Sequence, residues 1–269
     1  MPAENTDIGD TGMSIHELSA TLKNQARMKL NGKYGNSALL TFLHEIIILT
    51  ADIVLTTPIM FISSFSSMLT GTPEDGIGSS IALLIASLLI SVFIGVLNTG
   101  VSLYYLNITC GRIASVANLF YGYQYMFKKS LSLSAVMVAA NSLPLLPYNV
   151  LYLIYNQEQS QQWLYYTLIA YVIGISIYIP LSLCLSQSYY LLLDFPKQSV
   201  KEILSTSIRL MRGRKRQFFY IQLSFFPLML LSVFTLGIGN LWLTPYMQQT
   251  TALYFLHIMN PDKKQTSEA

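Results

Sequence analysis

Charge, cysteine and histidine are all scarce in this chain, and each shortage excludes something. Only 11% of the 269 residues are charged while 52% are hydrophobic, against roughly a quarter charged in an ordinary soluble domain. Such a composition belongs to a helical membrane protein. A span needs about 20 apolar residues, so the chain has room for about five to seven spans and none for a separate soluble catalytic domain. The two cysteines, Cys110 and Cys184, sit at a boundary expected to be cytoplasmic and inside an apolar run, which argues against a disulfide framework. The three histidines, His16, His44 and His257, are too few for the converging ligands of a metal site. No metal and no cofactor are expected.

Basic residues are also missing from every second gap between apolar runs. All 16 lysines and arginines fall in the alternate gaps, and the others hold acidic or neutral residues alone. Loops that stay in the cytoplasm retain Lys and Arg, so the pattern predicts a multi-pass protein of a cytoplasmic membrane with both termini inside. Residues 1–13 are polar and acidic and lack the basic-then-apolar order of a signal peptide. They are expected to form a disordered tail, with Met13 as an alternative start. Residues 14–260 then make one integral membrane domain, and 261–269 a polar tail.

Within that domain six apolar segments are expected as spans, at about 37–69, 80–108, 131–155, 163–193, 218–236 and 242–259. The turn-rich Gly71 to Gly76, the run Asn156 to Gln159 and the turn Gly237 to Asn240 carry no cation and are placed outside. Trp163, Tyr165 and Tyr166 open the fourth segment as an aromatic belt does. The shorter sixth segment is counted because, without it, Lys263 and Lys264 would be the only cations on the wrong side. The fold class is therefore all-α, a polytopic bundle of about six spans.

Two further helices are amphipathic and expected at the inner surface. Ser14 with Glu17, and Ser199 with Glu202, have capping-box spacing, and Gly32 and Gly213 stand where the helices should end. Ile15, Leu18, Leu22, Ala26 and Leu30 share one face of the first; Val200, Ile203, Leu204, Ile208 and Met211 recur at helical spacing in the second. The alternative for the first is a helix packed on the bundle.

Ionisable side chains deep in an apolar run occur only in the first segment. At 100° per residue Thr41, Glu45, Asp52 and Thr56 fall within about 60° of arc, with His44 at the edge. An intramembrane charge costs on the order of 3 kcal/mol, so this stripe is expected to face the bundle interior or a wet cavity. It suggests proton or cation handling, against a structural role with Glu45 shallow enough to meet water and Asp52 neutral and bonded to Asn98, Asn141 or Gln187 of another span. His44-Glu45 also opens an HExxH pattern, but Ile48 stands where the second zinc ligand belongs. Neither a nucleophile elbow nor a phosphate-cradling loop is present.

Prolines interrupt five segments, at Pro58, Pro144 with Pro147, Pro180, Pro227 and Pro245. Membrane helices tolerate them, and Leu143 to Tyr148 is the best candidate for an unwound stretch. Ser87, Ser91, Gly95 and Thr99 form a small-residue ladder expected to pack inside the bundle. No repeat pairs the two halves as an inverted-topology transporter would require. Arg209, Arg212, Arg214, Lys215 and Arg216 cluster before the fifth segment and are expected to contact anionic headgroups of the inner leaflet. Topology and leaflet attraction account for them without nucleic acid.

The run Ala26-Arg27 to Leu30 with Gly32 and Tyr34, then Ser199 to Ile203, Ser207 to Gly213, Lys215 and Phe218, resembles a family of bacterial membrane proteins, domain of unknown function 975. Leu223 to Phe226, Thr235 to Trp242, Pro245-Tyr246, Ala252 and Tyr254 carry the same resemblance, which extends over about residues 14–258. It implies a bacterial cytoplasmic membrane, often Gram-positive, and supplies no catalytic signature. The function expected is non-enzymatic and exercised through lipids or a membrane-protein partner, in envelope homeostasis or beside an exporter. The alternative is a small transporter or channel component that uses the Glu/Asp stripe.

Overall fold

Two serines start the two amphipathic helices. In a computed structural model, which describes residues 13–70 and 77–259, the Ser14 and Glu17 side chains each accept a hydrogen bond from the other's backbone N–H, at 3.2 and 2.9 Å, and α1 (Ile15–Leu30) follows. Ser199 and Glu202 repeat the device at 3.3 and 2.8 Å ahead of α9 (Val200–Leu210). The partner serine's backbone N–H, then its hydroxyl, holds each glutamate below the ordinary carboxylate range. A carboxyl with a lowered folded-state pKa stabilises fully above its unfolded pKa and stops doing so as pH falls through the folded one. Acidification below the ordinary carboxylate range is therefore expected to lower amide protection, taken relative to the unfolded-chain exchange rate at the same pH, in the first turns of α1 and α9. Glu202→Gln, which removes the titrating carboxyl, should abolish that pH dependence in α9 alone.

The apolar segments form long helical legs. They are α2 (Tyr34–Thr70), α3 (Ile77–Thr109), α5 (Phe127–Ser142) with α6 (Leu146–Glu158), and α7 (Gln161–Leu185) with α8 (Ser188–Asp194). After α9 come α10 (Lys215–Leu223) with α11 (Phe226–Phe234), and α12 (Asn240–Met259). A 3₁₀ turn, Val116–Phe120, and the short α4 (Tyr121–Tyr125) connect α3 to α5. The described residues contain no strand. By length and composition five legs among the described residues can cross a membrane, not the six expected: Tyr34–Leu69, Gly78–Thr109, Phe127–Glu158, Gln161–Asp194 and Lys215–Phe234. The sixth segment, in α12, is not among them, and Gln248, Gln249, Thr250 and Thr251 interrupt its apolar run. The chain is an all-α bundle and a multi-pass membrane protein. The turn Gly71 to Gly76, residues 1–12 of the first tail, and the last tail with Lys263 and Lys264 lie outside the described residues, while Met13 packs against the cluster around α1.

Leu143–Leu145, where unwinding was expected, tighten into a 3₁₀ turn between α5 and α6. The chain bends there against α7: a Cβ on Gly174 would lie 2.7 Å from the Pro144 carbonyl oxygen. Pro58, Pro180 and Pro245 sit inside helices, whereas Pro227 occupies the first turn of α11, where the missing N–H has no helical acceptor to lose. The lower half of the small-residue ladder packs on α5. Thr99 Oγ1 donates to Ser130 Oγ at 3.1 Å, and Ser134 Oγ to the Val92 carbonyl at 2.7 Å.

The buried core gathers at one end of the legs. Leu97, Val101, Tyr104 and Ile108 of α3 join Leu40 of α2, Tyr190 to Leu192 of α8, and Ala252 and Phe255 of α12. A second cluster seats α1, through Leu18, Leu22 and Ala26, on Phe218, Ile221, Phe225 and Tyr254. The apolar stripe of α1 is thus covered by protein, which is the packed alternative of the two expected for it. Lys23 follows it inward: its Nζ donates to the Ser224 carbonyl at 2.8 Å and lies 4.1 Å from the Phe225 ring centre. Burial lowers its pKa.

Candidate functional site

The stripe on α2 divides once neighbours surround it. Thr41 is buried and donates to the Ser37 carbonyl at 3.1 Å. His44 is half-buried, with Nδ1 3.8 Å from Glu45 Oε1. Glu45 keeps 61% of its side chain exposed, and Asp52 is exposed beside Leu49, Ile53 and Leu55, which are exposed too. The two carboxylates therefore face outward, contrary to the interior position expected of them. Helical spacing sets them within one arc of α2, but α3 and α12 cover the Ser37 and Leu40 side near its start and leave the outer turns bare. Thr56 donates to the Asp52 carbonyl at 2.7 Å and lines a separate recess with Ser87, Ser142 and Asn149. Replacing an exposed surface side chain changes stability by about 0.5 kcal/mol or less. Asp52→Asn is expected to melt with the parent protein in mild detergent, and a marked shift would show that its carboxylate has a structural partner.

The basic cluster is organised differently. α9 turns Ile203 and Ser207 inward, and Ser207 Oγ donates to the Cys184 carbonyl at 2.8 Å. Met211, also buried, closes its last turn. The outer face then presents Lys201, Leu204, Ser205, Ile208, Arg209 and Arg212 at helical spacing. Opposite, Ser132 and Val136 of α5 supply a second wall, held in register by Lys129. Its Nζ donates to the Pro196 carbonyl at 2.5 Å and the Gln198 carbonyl at 3.0 Å, so the start of α5 is tied to the loop before α9.

Between these walls runs an open groove of about 990 Å³. Val136, Val200, Leu204 and Ile208 give it an apolar lining, and Lys201, Arg209, Arg212 and Lys215 line it with positive charge. Of the five cations expected to act together, the groove collects Arg209, Arg212 and Lys215. Arg214 and Arg216 are not among its lining residues, and the Arg214 carbonyl accepts from the Tyr254 hydroxyl at 3.4 Å. Lys201 was missed at the sequence level. Its signal was present, since Lys201 precedes Arg209 and Arg212 by 8 and 11 residues on one helix face. Val136 had no such signal, because nothing local announces that α5 will stand opposite α9. A cleft lined by both apolar and cationic side chains suits an amphiphile with an anionic head: the cations meet the charge and the apolar side chains cover methylenes that would otherwise contact water.

Among the described residues no group of three or more His, Cys, Asp or Glu is placed to hold a metal ion. The family model described as "Protein of unknown function (DUF975)" matches residues 17–262, nearly the whole of the stretch that carries the resemblance. Neither the curated proteins nor the solved structures yielded a match.

Proposed function

This chain belongs to the DUF975 family of unknown function, and on that premise we propose a membrane protein that works without catalysis by holding anionic lipid in the groove between α5 and α9. The observation that carries this reading is the joining of four cations to an apolar cleft beside the membrane-crossing legs. Near an anionic surface each Lys or Arg contributes about 1 kcal/mol, so four that converge favour an anionic over a zwitterionic lipid strongly. The sidedness of the cations along the chain supports a groove at the cytoplasmic leaflet, in a bacterial membrane on this reading. A role in envelope homeostasis or as accessory to an exporter accords with that position. Glu45 and Asp52 give the transporter alternative less support, because both side chains are exposed and not buried among the helices.

The test is direct. Protein purified in mild detergent is exchanged into nanodiscs holding an anionic phosphoglycerolipid, a zwitterionic lipid or a mixture, and the lipids that stay bound are identified by native mass spectrometry. Retention of the anionic lipid out of proportion to the mixture is expected. Retention in proportion to the mixture would remove the basis of the proposal.

A further inference from the structure

The segment Lys215–Phe234 has the length and composition of a span, and α12 follows it as the return leg. If both crossed, the turn between them would stand outside, about 30 Å from the basic end of α2, since a 20-residue helix rises about 1.5 Å per residue. The contacts place that turn elsewhere. Gly239 and Trp242, at the start of α12, line one cavity of about 590 Å³ with Arg27 of α1 and Tyr34, the first residue of α2. Leu228, Leu231 and Thr235, on α11 and the turn, line the same cavity. Arg27 lies 5.9 Å from the ring centre of Tyr246. Gln249, midway along α12, donates to Thr109 Oγ1 at 2.7 Å, at the end of α3 that leads into Arg112.

Every one of these neighbours belongs to a basic end. Lys29 and Lys33 precede Tyr34, and Arg112 follows Thr109. At the other end of the hairpin, the Tyr254 hydroxyl donates to Gln217 Oε1 at 3.2 Å, and Tyr254 stacks on Phe218 at 5.0 Å, just beyond Arg214, Lys215 and Arg216. The hairpin thus begins, turns and ends among residues that the distribution of Lys and Arg keeps in the cytoplasm.

From this we infer that α10, α11 and α12 do not cross the bilayer. They form a hairpin on the cytoplasmic side, and four legs (α2, α3, α5 with α6, α7 with α8) do the crossing. The outer row of the hairpin, Phe219, Leu223, Phe226, Leu230, Phe234 and Leu236, is exposed, with Phe234 at 84% and Leu236 at 94%. Its occupant is the acyl region of the inner leaflet. An apolar row flanked by cations is how a helix lies in an anionic interface, and here the flanking cations are Arg27, which lines the cavity with Thr235, at one end and Lys215 and Arg216 at the other. The inference is independent of the lipid groove, since a groove that failed to bind lipid would leave the side on which this turn lies unchanged.

Single cysteines decide the matter in the full-length protein, with Cys110 and Cys184 replaced by serine. Asn240, exposed and polar at the start of α12, becomes the probe as Asn240→Cys, and Gln159→Cys is the external control. A membrane-impermeant maleimide is expected to label Gln159→Cys in intact cells and Asn240→Cys only in inside-out vesicles. Labelling of Asn240→Cys in intact cells to the level of the control would overturn the inference. In proteoliposomes of the Trp163→Phe variant, fluorescence from Trp242, now the sole tryptophan, is expected to be quenched by brominated acyl chains. Emission that such lipids leave unchanged would overturn the embedding of the hairpin.

Discussion

Gly100→Ala is expected to cost about 3 kcal/mol or more, since it combines overpacking with loss of part of the burial of a fully enclosed leucine. A Cβ on Gly100 would lie 2.1 Å from the Leu119 carbonyl oxygen, 2.4 Å from that of Asn118 and 2.5 Å from the Leu119 carbonyl carbon. All three are backbone atoms, so no side chain can swing aside. The 3₁₀ turn that carries them is held on both flanks. Ser115 Oγ accepts from the Ala117 N–H at 3.3 Å, and beyond the turn the Tyr123 hydroxyl donates to the Phe93 carbonyl at 2.6 Å. Gly122 repeats the close approach from the other side, where a Cβ would stand 2.5 Å from the Val96 carbonyl oxygen. The loop can admit the methyl only by lifting off α3, which exposes Leu119, now fully buried. Thermal unfolding in mild detergent should show a large drop for Gly100→Ala or no recoverable folded protein. Gly35→Ala meets no atom within 4 Å and should melt with the parent. Equal melting of the two variants would mean that α3 and this loop are not in contact.

Local signals in the sequence were read correctly wherever the structure depends on neighbours a few residues away. Ser14-Glu17 and Ser199-Glu202 close their boxes, and Gly32 and Gly213 end their helices with φ of 74° and 81°, a region open to glycine and strained for other residues. The apolar segments became the legs because long apolar runs have few ways to satisfy their backbone in lipid. What local pattern could not supply was the identity of the neighbour. The stripe Thr41, Glu45, Asp52 and Thr56 was placed correctly around its axis, yet which side of α2 would meet protein depends on α3 and α12, distant in sequence. The same limit hid the groove. Lys201 belongs with Arg209 and Arg212 by helical spacing, but only the position of α5 makes that face one wall of a cleft. The lack of cations in the turn at Gly237 does not fix the side it occupies, since Thr235 and Gly239 beside it line one cavity with Arg27 and Tyr34.

Replacing Lys201, Arg209, Arg212 and Lys215 together by glutamine is expected to lower anionic-lipid affinity by up to about 10³-fold, as four contributions of about 1 kcal/mol sum to roughly three factors of ten. Glutamine keeps most of the side-chain length and the amide donors, so the apolar walls and the fold of α9, anchored by Ile203, Ser207 and Met211, should be retained. Melting unchanged within the usual surface range of about 0.5 kcal/mol serves as the check. The informative comparison is with Arg214→Gln/Arg216→Gln. Along the chain these two sit between Arg212 and Phe218 and look equivalent to the rest of the cluster, but they do not line the groove. Per charge removed, that double variant should lose less lipid retention than Arg209→Gln/Arg212→Gln. If both doubles lose the same amount, the cations act as a diffuse field at the leaflet and the cleft selects nothing. Salt separates the two cases further. A diffuse attraction fades over a Debye length of about 8 Å at physiological ionic strength, whereas headgroup contacts inside a partly desolvated cleft are screened less, so anionic lipid should stay on the parent protein at salt concentrations that strip it from Arg209→Gln/Arg212→Gln.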